Sequence, residues 1–273
     1  MQWRFLDTGD ADGLMNMAVD EVLATKSVPI QKVCVFRVYR WKPYTISLGF
    51  NQNPAELDLE KCVKDGIGVV RRPTGGRAVF HAEELTYSVI IPRESDFYSR
   101  DILTTYNRIS GGLLEGLRLY GVGAEFVERF GKSEKSSDYK NSIPCFSSSA
   151  KYEIAYDNKK MVGSAQRRYE NSILQHGSIL TGSFHLKLAD YIFFKHENSA
   201  ARFKEDLEDK TISISQITGK PVDWEKLKNA LKSGLEEKFN INFTKSQITP
   251  QEIKEAKIMI KTYPKIGGQN HEN

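Results

Sequence analysis

The sequence predicts an α+β fold: a mixed, mainly antiparallel sheet flanked by helices, with a small helix-rich part towards the C-terminal end. Three observations predict it. Short apolar runs rich in β-branched and aromatic residues recur with turn residues between them, which is the pattern of sheet strands. Longer segments beside those runs carry apolar residues at helical spacing. After Phe184 the strand-like alternation gives way to helical patterns.

The elements follow in order. WRFLDTG reads as a first strand, and GLMNMAVDEVLATK as a helix with Leu14, Met17, Ala18, Val22 and Leu23 at helical spacing. VCVFRVYR and YTISLGF read as neighbouring strands joined by a turn at Lys42-Pro43. Leu57 to Lys64 reads as a short helix. GVVRR enters a glycine loop as a strand, and LTYSVII leaves it as another. Ile102, Tyr106, Ile109, Leu113 and Leu117 set out a helix over 102–120. Residues 131–149, GKSEKSSDYKNSIPCFSSS, are polar and serine-rich, long enough for a loop with a function of its own. KYEIAYDNKKMVGSAQRR and NSILQHGSILTGSF alternate as strands, with hairpin turns at Asp157-Asn158 and Tyr169-Glu170-Asn171. Leu186 to Phe194 and Asp223 to Phe239 read as helices, the second capped by Asp223. Thr249-Pro250 opens a last helix through Met259, with proline at its first position. The small helix-rich part begins at about residue 200, and the tail GGQNHEN is expected to be disordered.

Composition narrows the function classes. The chain has 273 residues, 40% hydrophobic and 27% charged, as in ordinary globular proteins. A net charge of +4 is too small to point to nucleic acid and suits acidic protein partners. No apolar run approaches the ~20 residues of a membrane span. MQWRFLDTGD lacks the apolar stretch of a signal peptide, so a cytoplasmic location is expected. Cys34, Cys62 and Cys145 form an odd, sparse set, which argues for free thiols.

Four groups of residues can do chemistry. In RRPTGGRAVFH, Gly75 and Gly76 let a backbone approach a ligand, and their N–H groups can cradle an anion. Arg71, Arg72 and Arg77 add fixed positive charge beside Thr74. A tight hairpin with solvated arginines fits the same spacing, and the glycine spacing is neither a Walker loop nor a dinucleotide fingerprint. Cys145, beside a proline in the polar loop, is a nucleophile if a neighbour lowers its pKa. Cys34 sits in an apolar strand, and Cys62 on a helix. Lys160 precedes the small residues Gly163, Ser164 and Ala165 and either points into a pocket or is solvated like Lys159. His81 and His176 have no companions at metal-ligand spacing, and as isolated residues read as structural histidines.

Taken together, RRPTGGRAVFH, then KKMVGSAQ, then ILQHGSIL resembles the biotin/lipoate protein ligase and lipoyltransferase superfamily, from WRFLDTGDADGLMNMAVDE onward. Within it the chain is most similar to the LipM-type octanoyltransferases. IPCFSSSAKYEI puts Cys145 where that subgroup carries its cysteine. ATP-dependent lipoate ligases usually show Asn-Asp in place of Tyr152-Glu153 and a third glycine in place of Arg77. The resemblance implies a biotin/lipoate ligase-like catalytic domain over 1–200, a helical subdomain over 201–265 and a tail over 266–273. It implies an acyl pocket walled by the glycine loop, with His81 shaping that loop and Lys160 at the acyl carbonyl. Arg71, Arg72, Thr74, Gly75, Gly76, Arg77, Gly163, Ser164, Ala165, His176 and Gly177 join the binding set. Val79, Tyr39 and Val162 are expected to line the slot. The implied reaction moves an octanoyl group from octanoyl-acyl carrier protein to a lysine of lipoyl domains, such as glycine cleavage H protein or 2-oxoacid dehydrogenase subunits. It runs through a Cys145 thioester, with no cofactor, ATP or metal. An ATP-dependent lipoate ligase, a transferase between two lipoyl domains and a non-enzymatic acyl-binding protein remain as alternatives.

Overall fold

A computed structural model describes residues 1–128, 152–194, 196, 198–264 and 266 of the chain. The strands are β1 (Trp3–Ala11), β2 (Cys34–Trp41), β3 (Thr45–Leu48), β4 (Gly68–Arg71), β5 (Val79–His81), β6 (Glu84–Pro92), β7 (Glu125–Glu128), β8 (Tyr152–Tyr156), β9 (Lys159–Arg168), β10 (Ser172–Leu180) and β11 (Phe243–Ser246). The helices are α1 (Gly13–Val22), α2 (Val28–Gln31), α3 (Leu59–Lys64), α4 (Ile102–Tyr120), α5 (Ser199–Lys210), α6 (Ile214–Thr218), α7 (Trp224–Phe239) and α8 (Pro250–Ile260). A π-helical turn over Leu23–Ser27 joins α1 to α2, and a 3-10 segment spans Phe184–Tyr191.

The large sheet has eight strands in the order β11-β1-β2-β6-β10-β9-β8-β7. Its β11-β1 and β1-β2 pairs are parallel, and the five other neighbouring pairs are antiparallel. Side chains alternate across a strand, so each face takes every second residue. Phe36 and Val38 of β2, with Tyr87, Val89 and Ile91 of β6, pack with Ile109, Leu113 and Leu117 of α4 and Leu227, Leu231 and Leu235 of α7. Val35 and Ile90 point to the opposite face, where Leu6, Ala18, Val22 and Ala256 complete a second core under α1 and α8. No helix among the described residues is long and apolar enough to cross a membrane.

Caps fix the helix starts. Asp101 accepts from the Thr104 N–H at the start of α4, and Asp223 accepts from Lys226 at the start of α7. Thr249 and Glu252 form a reciprocal capping box at α8, with Pro250 in the first turn. The segment after residue 200 joins the cores just described: α7 crosses α4, α8 packs on α1, and β11 extends the sheet beside β1. Ile266 is buried with Val69 and Leu188. The 131–149 loop, Cys145 and the rest of the tail lie outside the described residues.

Two expectations are corrected. VCVFRVYR and YTISLGF are not neighbours. Both edges of β2 are occupied, by β1 and β6, so the chain leaves the sheet at Trp41 and β3 becomes the centre of a three-stranded sheet, β4-β3-β5. The segment 186–194 is not a helix to its end: Ile192 bridges to Leu57, and the Phe193 N–H donates to the Glu56 carbonyl, which holds this stretch extended.

The α4-α7 crossing is set by glycine. A Cβ on Gly234 would lie 2.1 Å from the Gly116 nitrogen and 2.5 Å from its Cα, so the two backbones touch without intervening side chains. Gly234→Ala is therefore expected to force the helices apart and to cost about 1–3 kcal/mol, despite the better helix propensity of alanine. A lowered urea midpoint at unchanged slope checks this, and an equal or higher midpoint contradicts it.

Candidate active site

The site is laid out on the α1 side of the large sheet by strand register. Arg37, Ser88, His176 and Ala165 stand opposite one another across β2, β6, β10 and β9. Tyr39, Thr86, Ser178 and Gly163 form the next row on the same face. A pocket opens on these two rows. Met17, Tyr39, Trp41 and Val79 give it an apolar wall, Gly163, Ala165 and Gly177 keep its floor low, and Arg72, His81, Ser164 and His176 supply polar groups. Val79 and Tyr39 stand where the sequence reading expected them. Val162 does not: it lies in the core with Ile154 and Ile179.

Two buried carboxylates organise the polar side. Asp20 of α1 accepts from Arg37 Nη1 at 2.7 Å, Tyr39 Oη at 2.8 Å and Ser88 Oγ at 2.8 Å, and lies 3.1 Å from His176 Nδ1. Burial pushes the Asp20 carboxyl up, but the Arg37 guanidinium and His176 more than offset it and hold it below the ordinary carboxylate range. Glu84 lies 2.7 Å from His81 Nδ1 and accepts from the Thr86 hydroxyl. Burial again opposes ionisation there, and His81 reverses the balance, leaving Glu84 below its usual value. Trp41 donates to Thr86 at 2.7 Å and stacks on His81 with ring centroids 4.0 Å apart. Both histidines are thus built into this face of the pocket, His81 beside Trp41 and His176 beside Asp20.

The glycine loop joins β4 to β5, which flank β3 on opposite edges, so it is a crossover and not a tight hairpin. Its carbonyls turn inward. Arg72 is 4% exposed and donates to the carbonyls of Ser47, Gly75 and Arg77 at 2.8–3.1 Å, which contradicts a solvated arginine. Arg167 donates to the Pro73 carbonyl at 2.8 Å, and Arg71 Nη1 to the carbonyls of Gly49, Phe50 and Gln52. Thr74 Oγ1 lies 2.7 Å from His176 Nε2. Gly76 has φ +94°, a conformation that favours glycine. A Cβ on Gly49 would meet the Gly76 oxygen at 1.9 Å, so Gly49 is what lets the loop settle. Gly75 and Gly76 are exposed, and Arg77 is half-buried. Arg71, Arg72 and Arg167 share a second cavity of about 270 Å³ with Phe50, Tyr263 and Glu21.

Lys160 is 3% exposed and its Nζ lies 2.6 Å from Glu153 Oε1, so it is not solvated, whereas Lys159 is half-buried with its Nζ on the Glu208 carbonyl. Burial pushes the Cys34 thiol up to about 12 and the Cys62 thiol up to about 11, which makes both poor nucleophiles. No group among the described residues is arranged to hold a metal ion. Sequence reasoning missed Asp20, Arg37, Trp41, Glu84, Glu153 and Arg167. Asn16 and Asp20 gave the available signal, two polar residues four apart among the apolar residues of one helix.

These histidines set an acid limit on stability. Burial pushes His176 below its ordinary 6.5, against the pull of Asp20, with Arg72 and His81 adding to the downward shift. His185, bonded to Thr211, is pushed down to about 4 by burial. The unfolded imidazoles take up protons near pH 6.5 while the folded ones do not. Stability is therefore full above that pH and is lost as pH falls towards the folded values, by up to about 1.4 kcal/mol per pH unit for each group. Urea unfolding at pH 7, 6 and 5 should show the decline, with a shallower slope in His185→Gln. A flat profile contradicts the expectation.

The lipoyl protein ligase A/B catalytic domain family matches residues 12–236. The octanoyltransferase LipM of Bacillus subtilis (strain 168) is 37% identical over 257 residues, covering 92% of this chain and 91% of its own. LipM of Halalkalibacterium halodurans is 37% identical over 262 residues, covering 95% of each chain. Among solved structures, a bi-partite archaeal lipoate protein ligase from Thermoplasma acidophilum has a TM-score of 0.77 at 23% identity, over 96% of this chain and 92% of that one; the likeness carries the fold. Sheet, pocket and near-complete overlap agree, and the chain belongs to the lipoyl protein ligase A/B catalytic domain family.

Proposed function

We propose that this protein is an octanoyltransferase, taking an octanoyl group from octanoyl-acyl carrier protein and delivering it to a lysine of a lipoyl domain through a thioester on Cys145. The observation that carries this reading is the extent of the likeness to proteins named octanoyltransferase, 92% of this chain and 91% of the relative's. The pocket supports it. Its wall of Met17, Tyr39, Trp41 and Val79 is suited to an alkyl chain, whose burial is worth ~0.8 kcal/mol per CH₂. With Cys34 and Cys62 buried and their thiols pushed up, Cys145 is the cysteine suited to attack.

The Cys145 thiol gives up its proton and adds as the thiolate to the thioester carbonyl of the donor; the carbonyl–sulfur bond to the carrier breaks, and the carrier's thiolate takes up that proton. The ε-amine of the acceptor lysine then adds to the octanoyl-Cys145 carbonyl. An amide forms, the Cys145 sulfur leaves, and the amine gives up a proton. Lys160 serves as the proton-transfer group, held by Glu153 at 2.6 Å. Backbone N–H groups near Gly76 or Cys145 stabilise the oxyanion of each addition. Exchanging a thioester for an amide is downhill and needs no ATP. Both protein partners are acidic, in keeping with the net charge of +4 and with work in the cytoplasm.

Intact mass spectrometry after mixing with octanoyl-acyl carrier protein, without ATP, tests the reading. The expected result is a hydroxylamine-sensitive octanoyl adduct that is absent in Cys145→Ala. No adduct, with octanoylation of a lipoyl domain from free octanoate and ATP, makes the protein a ligase instead. Supplying an octanoylated lipoyl domain in place of the carrier protein separates transfer between lipoyl domains from transfer off the carrier. Lys160→Ala should lose turnover and also about 3–5 kcal/mol of stability, because it leaves Glu153 charged and buried.

A further inference from the structure

Asp20 lies on α1, apart from the glycine loop and the KKMVGSAQ and ILQHGSIL strands, and touches two side chains that line the pocket, Tyr39 and His176. His176 lines the pocket, with Asp20 at its Nδ1 and Thr74 at its Nε2. We propose that Asp20 is a positioning residue of the acyl site: it fixes the His176 imidazole as the Nδ1–H tautomer, so that Nε2 accepts from the Thr74 hydroxyl and anchors the glycine loop at the pocket.

The geometry leaves one consistent proton arrangement. Arg37, Tyr39 and Ser88 all donate to Asp20, so it acts as a carboxylate and only accepts. The proton between Asp20 and His176 therefore sits on Nδ1. A neutral imidazole then has only a lone pair at Nε2, and Thr74 supplies the hydrogen. The downward push on the His176 pKa agrees with a neutral ring. Thr74 is fully buried, and its carbonyl accepts from the Phe50 N–H at 2.9 Å, so its hydroxyl ties the loop to the sheet at one point. The other ties, from Arg72 and Arg167, grip carbonyls on either side of it. Asp20 thus acts on the loop through His176 and Thr74.

The test has a spectroscopic arm and a kinetic arm. The first is independent of the acyl-transfer reading; the second rests on it. In the full-length protein at pH 7, ¹⁵N spectra of the imidazoles, with His176 assigned by its loss in His176→Gln, should show a protonated Nδ1 and a bare, hydrogen-bonded Nε2. In Asp20→Asn the amide N–H₂ faces Nδ1, and the proton should move to Nε2. A wild-type ring protonated at Nε2, or at both nitrogens, overturns the proposal. For the kinetic arm, Thr74→Val should lower kcat/KM for octanoyl transfer about tenfold, mostly through KM, with Thr74→Ser recovering most of the loss. Asp20→Asn should fall at least as far, and the double variant about as far as the worse single one. If the two losses multiply to about a hundredfold, Asp20 acts apart from Thr74 and the proposal fails. Should Asp20→Asn not fold, the wild-type tautomer and the Thr74 pair still decide it. Failure of transfer in every protein, wild type included, refutes the functional reading and leaves the tautomer result standing.

Discussion

The buried charge pair of Asp20 and Arg37 is the constraint on which the site depends. A lone charge in an apolar interior is too costly to keep, so each member must be paired and its remaining hydrogen-bonding capacity filled. Arg37 fills its donors with Asp20, with the Asn16 carbonyl and side chain, and with Thr8. Asp20 fills its acceptor sites with Arg37, Tyr39, Ser88 and His176. One helix and three strands are thereby held in a single register, since a slip of one residue would send every one of these groups to the other face. A polar row that would be a defect in a plain core becomes the back wall of a pocket.

The glycine loop uses the same economy in another form. A crossover between the outer strands of a small sheet has no ladder to hold it, so its carbonyls need other donors. Arg72, Arg167 and the Phe50 N–H supply them, while Arg71 holds the neighbouring carbonyls of Gly49, Phe50 and Gln52. With the carbonyls committed inward, Gly75 and Gly76 are left exposed at the tip of the loop. The close passage of Gly49 under Gly76 shows how little room remains: the loop is seated by backbone contact there, and flexibility is not what its glycines provide. A similar economy governs the far face of the sheet, where α4 and α7 approach through glycines and leave the large side chains to fill the layer between helices and strands.

Much of this was legible in the sequence, and the parts that were not share a physical cause. The helix over 102–120, the caps at Asp223 and Thr249, and both hairpin turns were readable because local chemistry alone specifies them. The neighbours of β2 were not. Pairing is decided by what occupies each strand edge, and β1 and β6 come from distant stretches of chain. The strand Phe243–Ser246 gave no signal, being four residues with two of them lysine and serine. Motif residues such as His176 and Thr74 could be named, but their link to Asp20 spans 156 positions along the chain and exists only after the sheet has formed. Lys160 was undecided for the same reason: only its packed surroundings separate it from Lys159.

The two departures from the ligase pattern differ in physical weight. Arg77 replaces a third glycine, yet the backbone there is not in the left-handed region; only Gly76 in this loop is. A side chain is accommodated there, and Arg77 is a half-buried cation. At 152–153 the pattern keeps a carboxylate, one methylene longer, and that carboxylate is committed to Lys160 in a buried pair. Neither departure lines the pocket, whose walls come from the two sheet rows with Met17, Trp41 and Val79. Under the proposed function, the chemistry that separates a transferase from a ligase resides in the cysteine and not in these two positions. Cys145 stands fifteen positions before Lys160 in the sequence, and Lys160 is held by Glu153 in a buried pair.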